Sequence, residues 1–181
     1  GHDTGDFVEH PVPGLGEGVK SSFFVFDIPG MFDGAEMWYT AHSGDKFLAS
    51  FFITDDDVEK SDWAISPMLS GNAQTVSFWA KSYSTYRAES IEVLASATDT
   101  GLSSFTPVAD ASGATRIDAV PGSWTRYEYV LPEGTRYFAI RSCGKKTFVL
   151  KIDDVTFEKA PLGATLTLAG YNVYRNAVRL N

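Results

Sequence analysis

Thr75-Val76-Ser77-Phe78-Trp79-Ala80 alternates, with Val76, Phe78 and Ala80 on one face. A period of two marks a half-buried β-strand. Ser90-Ile91-Glu92-Val93-Leu94-Ala95 repeats the pattern and puts Ile91 and Val93 inside. Trp124 to Val130 places Tyr127 and Tyr129 together, away from Arg126 and Glu128. Working outward, Phe23-Phe24-Val25-Phe26 closes at Asp27 and a Pro29-Gly30 turn, and Lys46 to Ile53 reads as a buried strand stopped by Asp55-Asp56-Asp57. Trp63 to Pro67, Tyr137 to Arg141 and Thr147 to Phe157 complete the set, punctuated by Gly and Pro.

No window carries a helical apolar stripe, so the chain reads as all-β. Strands of this length over about 160 residues fit a jelly-roll β-sandwich of two antiparallel sheets. Periodicity leaves a closed barrel or an immunoglobulin-type sandwich open.

The chain has 181 residues, 14% of them aromatic, enough to build one sizeable core. Its net charge of −8 argues against a nucleic-acid partner, which demands clustered Lys and Arg. No apolar run is long enough for a membrane-spanning helix. The leading Gly1 reads as an expression remnant, with any export signal already removed. The single cysteine, Cys143, excludes an intrachain disulfide. Residues 1–159 are expected to form the β domain. Residues 160–181 read as a linker, Ala160 to Gly163, and the start of a following β domain.

Two stretches carry a resemblance. Ser61-Asp62-Trp63-Ala64-Ile65-Ser66-Pro67-Met68-Leu69-Ser70 runs on to Gln74-Thr75-Val76-Ser77-Phe78-Trp79-Ala80. Leu131-Pro132-Glu133-Gly134-Thr135-Arg136-Tyr137-Phe138-Ala139-Ile140-Arg141 is followed by Leu150-Lys151-Ile152-Asp153-Asp154-Val155. Together they resemble the cleaved-adhesin domains of gingipain and haemagglutinin polyproteins. Gly170 to Arg175 resembles the start of a fibronectin type III-like repeat. The resemblance implies a jelly roll, extracellular placement, structural calcium and a non-catalytic role in adhesion to a host protein or glycan, or in contact with neighbouring domains. A carbohydrate-binding module attached to a secreted enzyme is the alternative. Where the family carries an Asp- and Gly-rich loop, this chain has Asp27 to Gly34.

The alternation along Leu150, Ile152, Val155 and Phe157 slips by one at Asp153-Asp154. Such a slip suggests a bulge, which can re-aim a carboxylate. Calcium takes six to eight oxygens, so the pair is a candidate ligand set. A sandwich brings its first and last strands together, which makes Glu9 and Asp27 the natural partners, with Asp45 and Asp33 in turns beside them. Asp62 is expected to cap a turn. The triplet at Asp55 reads as a solvated turn, and the histidines lack zinc-site spacing. His42 reads as a loop histidine bonded to backbone. Cys143 reads as a small turn residue whose thiol Lys145 and Lys146 can acidify if it is exposed. For glycan stacking the aromatic candidates are Trp38, Tyr39, Tyr83, Tyr86 and Trp124. The loop Lys81 to Arg87 stands out, with Tyr83, Tyr86 and Arg87 as contacts.

Overall fold

The computed structural model describes residues 22–30, 34, 39–52 and 57–161, with the backbone of Met31, 173–175 and 178–179. Its strands are β1 (Phe23–Asp27), β2 (Lys46–Phe51), β3 (Lys60–Ile65), β4 (Gln74–Ser82), β5 (Ser90–Ser96), β6 (Thr106–Pro107), β7 (Thr125–Leu131), β8 (Tyr137–Gly144), β9 (Val149–Thr156), β10 (Val173–Arg175) and β11 (Val178–Arg179). Where the sequence suggested a Pro29-Gly30 turn, a single helical turn α1 (Ile28–Met31) follows β1. Proline suits the first turn of a helix, whose N–H groups have no partner there.

One sheet runs β1-β2-β9-β4-β7 and the other β11-β10-β3-β8-β5-β6, every pairing antiparallel. Consecutive strands alternate between sheets from β2 to β5 and again from β6 to β9. Interleaving β2-β9-β4-β7 with β3-β8-β5-β6 is jelly-roll order. The expected fold class is thus the observed one. β6, two residues long, was invisible to pattern reading. β10 pairs with β3, Val173 opposite Ala64, so the strand beyond the suggested linker hydrogen-bonds to the edge of this sheet.

The alternating residues meet between the sheets. Val76, Phe78, Ala80, Ile91 and Val93 are fully buried there, with Leu150 and Ile152 facing them. Phe78 stacks on Tyr127 and Tyr129, as the parity of β7 requires. Two further apolar layers cover the outer faces. Phe26, Phe47, Ala49, Phe51 and Val149 lie outside the five-stranded sheet. Trp63, Ile65, Leu94, Phe105 and Ala139 lie outside the other. These layers narrow the exposed polar side that an antiparallel sheet otherwise keeps, and leave Arg126 and Glu128 of β7 open to solvent.

The interior is polar at one end. Lys60 Nζ lies 2.6 Å from Glu89 Oε2, and neither side chain has any exposed surface. Glu89 Oε1 accepts the Phe148 N–H at 2.6 Å, and burial pushes its carboxyl above the usual range against the pull of Lys60. Asp62, expected to cap a turn, is buried instead and accepts the Ser50 hydroxyl at 2.7 Å. Its place on β3 opposite Ser142 turns it inward, where a hydroxyl answers its need for a donor. Cys143 lies in β8, fully buried, and its thiol is pushed up to about 11 by that burial. The exposure on which acidification by Lys145 and Lys146 depended is absent, and the residue expected in a turn lies in a strand.

Candidate binding site

The slip in β9 is a bulge. Ser77 pairs with Thr156 and Trp79 with Asp153, so two steps on β4 face three on β9. Asp154 takes up the extra residue with a φ of 48°, a left-handed conformation that Asp tolerates better than most residues. The bulge aims both carboxylates at the turn before β2. Asp153 Oδ2 accepts the N–H groups of His42 at 2.8 Å and Ser43 at 3.1 Å. Asp154 accepts His42 Nδ1–H and the Ser43 hydroxyl, each at 2.6 Å. The Asp154 N–H donates back to Asp153 Oδ1 at 2.8 Å. The Ser43 and His42 hydrogen bonds hold the Asp154 carboxyl below the usual carboxylate range.

This clamp fixes a ring. The imidazole of His42 lies on Trp79, centroids 4.0 Å apart and 17° from parallel, and meets Trp124 edge-on at 5.7 Å. Sequence reasoning gave His42 backbone partners; the structure bonds its ring to Asp154 and its backbone N–H to Asp153. The interaction spans more than a hundred residues, so nothing local announced it. Trp79, on the strand face opposite Val76, Phe78 and Ala80, lies half-buried on the outer face. Trp124 Nε1 is buried with no hydrogen-bond acceptor.

Tyr83 belongs to the same face. Its ring is 5.7 Å from Tyr39 and 5.4 Å from Phe148. Lys151 Nζ sits among the rings of Phe47, Tyr39 and Tyr83 at 4.9, 5.2 and 5.5 Å, within cation–π range. Sequence parity set Lys151 opposite the core, yet it is only 1% exposed, because the outer aromatic layer covers it. Burial, with help from Lys81, lowers its pKa to about 8.

Among the described residues, Tyr86, Asp27 and Asp45 have other partners or surroundings. Tyr86 is 99% exposed and its backbone N–H donates to Ser84 Oγ at 3.3 Å. Arg87 is half-buried in the same loop. Asp27 pairs with Lys46 at 2.7 Å, its partner across β1 and β2. The Asp45 carbonyl accepts the Ile28 N–H at 2.9 Å. Glu9, Asp33 and Trp38 lie outside the described residues. Among the described residues no three His, Cys, Asp or Glu side chains gather as a metal site. Asp153 and Asp154 face N–H and O–H donors, the wrong polarity for a cation, so these residues by themselves do not fit calcium.

No curated protein matches the sequence. Among solved structures, the K2 cleaved adhesin domain of Lys-gingipain superposes with a TM-score of 0.56 at 21% identity, over 75% of this chain and 89% of that one. The K3 domain of Lys-gingipain from Porphyromonas gingivalis gives 0.53 at 21% identity, covering 75% and 89%. The K1 domain from the same organism gives 0.51 at 23%, covering 79% and 94%. At these identities the likeness speaks for the fold. The sequence pattern of the Cleaved Adhesin Domain family matches residues 31–157, well over half the chain. The chain therefore belongs to the cleaved adhesin domain family.

Proposed function

We propose that this domain is a non-catalytic, extracellular adhesive module, and that its contact surface is the outer face of the five-stranded sheet around His42, Trp79 and Trp124. One observation carries the reading. Asp153 and Asp154 hold His42 flat against Trp79 from a bulge in β9, presenting a rigid aromatic surface on a strand rather than on a mobile loop. Rigid aromatic rings supply contact area with little ordering entropy left to lose, which suits the recognition of sugars or protein side chains. Membership of an adhesin family supports extracellular placement and a role in attachment.

The test is retention of the labelled domain on a broad array of glycans and on cell-surface proteins. Trp79→Ala and Trp124→Ala are expected to reduce retention strongly, whereas Tyr86→Ala, on the loop, leaves it unchanged. Retention indifferent to both tryptophans would move the contact surface elsewhere.

A further inference from the structure

β4 and β9 set Lys81 directly opposite Lys151 on the outer face of the sheet. Like charges placed directly across two strands are destabilising. Among the described residues neither lysine meets a carboxylate within ion-pair distance. Lys151 lies almost wholly beneath the rings of Tyr39, Phe47 and Tyr83, while Lys81 is half-exposed beside them. Trp79 is two residues back along β4 and so on the same face, roughly 7 Å away. That is about the width of one pyranose ring. Two cations lacking an anion and a ring at sugar spacing call for the same partner: a flat ligand rich in acceptors that carries negative charge.

We infer that this face binds an acidic saccharide, whose carboxylate or sulfate group sits against Lys81, with Lys151 adding positive charge from beneath, and whose ring packs beside the stacked His42 and Trp79 rings, an assignment that rests on the contact surface proposed above. The chain carries a net charge of −8, so attraction is local to the lysine pair and does not steer an anion from a distance.

Calorimetric titration of the 181-residue chain tests this with three oligosaccharides of equal length: an oligogalacturonate, its neutral methyl ester, and a sulfated heparin fragment. At least one acidic ligand is expected to bind about tenfold or more tightly than the neutral ester, the worth of one charge-assisted hydrogen bond. Binding of the oligogalacturonate shows that a carboxylate suffices; binding of the heparin fragment alone, which carries carboxylates as well, makes sulfate the required group. Lys81→Gln should bring the acidic ligand down to the neutral level without lowering the melting temperature, since it also relieves the repulsion of Lys151. Equal binding of acidic and neutral sugars, abolished in Trp79→Ala, overturns the acidic class and keeps the contact surface. Binding that survives both Lys81→Gln and Trp79→Ala overturns both. Silence toward all three sugars overturns the saccharide assignment while leaving protein contacts through Trp79 to be read from the array.

Discussion

His42 stacks on Trp79 at 4.0 Å while its Nδ1–H is bonded 2.6 Å away to Asp154, a residue 112 positions further along the chain. The pair joins the turn before β2 to the bulge in β9, so the aromatic surface depends on an ionised carboxylate.

That dependence has a sign. Because the folded-state pKa of Asp154 is lowered, chiefly by Ser43 and then by His42, its contribution is present above the ordinary value of 3.8 and fades as pH falls through the depressed one. Asp154 is partly exposed, so the effect is expected to stay below about 1 kcal/mol. Asp154→Asn keeps a residue that tolerates the left-handed backbone and removes only the charge. It should lower the melting temperature slightly at pH 7, and the gap to the parent should close only as pH falls below 3.8 through the depressed value. Asp154→Ala, which adds backbone strain, should be worse throughout.

Lys60 and Glu89 lie at the opposite extreme, wholly buried and 2.6 Å apart. Lys60→Met leaves an uncompensated carboxylate in the interior and should destabilise by about 3–5 kcal/mol in denaturant unfolding. Lys60→Met combined with Glu89→Gln retains an acceptor for the Phe148 N–H and removes both charges. The double variant is expected to be markedly more stable than the sum of the two singles predicts, which a double-mutant cycle measures directly.

Lys151 is predicted to be a liability to the fold. Its pKa of about 8, below the ordinary 10.5, means that the unfolded chain holds this proton between those values while the folded chain has released it. Stability from this group therefore rises as pH climbs from about 8 toward 10, before Tyr39, whose pKa is raised, begins to titrate and opposes it. Lys151→Met should stabilise the domain at pH 7 by up to about 3 kcal/mol and flatten that rise. If the same variant weakens binding of an acidic sugar, the lysine is retained for function at the expense of stability.

Chelation separates the clamp from calcium. Since donors already surround Asp153 and Asp154, EDTA should leave the fluorescence of Trp79 and Trp124 unchanged. A melting temperature that falls with EDTA while that signal holds would assign a stabilising ion to carboxylates other than these two. Loss of both together would put the ion at the bulge and overturn the hydrogen-bonded clamp.

Much of this fold could be read from residue order. The parity of Val76, Phe78 and Ala80, and of Ile91 and Val93, states which side chains share a face, and the slip at Asp153-Asp154 announces its bulge in the sequence itself. What parity cannot state is whether the opposite face is covered. Lys151 reads as solvent-facing until Tyr39, Phe47 and Tyr83 are packed over it. Asp62 likewise looks like a strand-start cap, and only the pairing of β3 with β8 turns it inward. The clamp was half legible: the aspartates stood out, but their partner His42 carries no spacing signal, since a contact made across two distant strands is set by topology alone.

The short hairpin of β10 and β11 has a bearing on assembly. By hydrogen-bonding along Asp62 to Ala64, β10 occupies the amide row that β3 would otherwise present, and it hands the border of the sheet to the two residues of β11. Covering β3 in this way withholds its amide row from a stray chain. Where several such modules crowd together, that cover favours neighbours staying separate folded beads over fusing along β3.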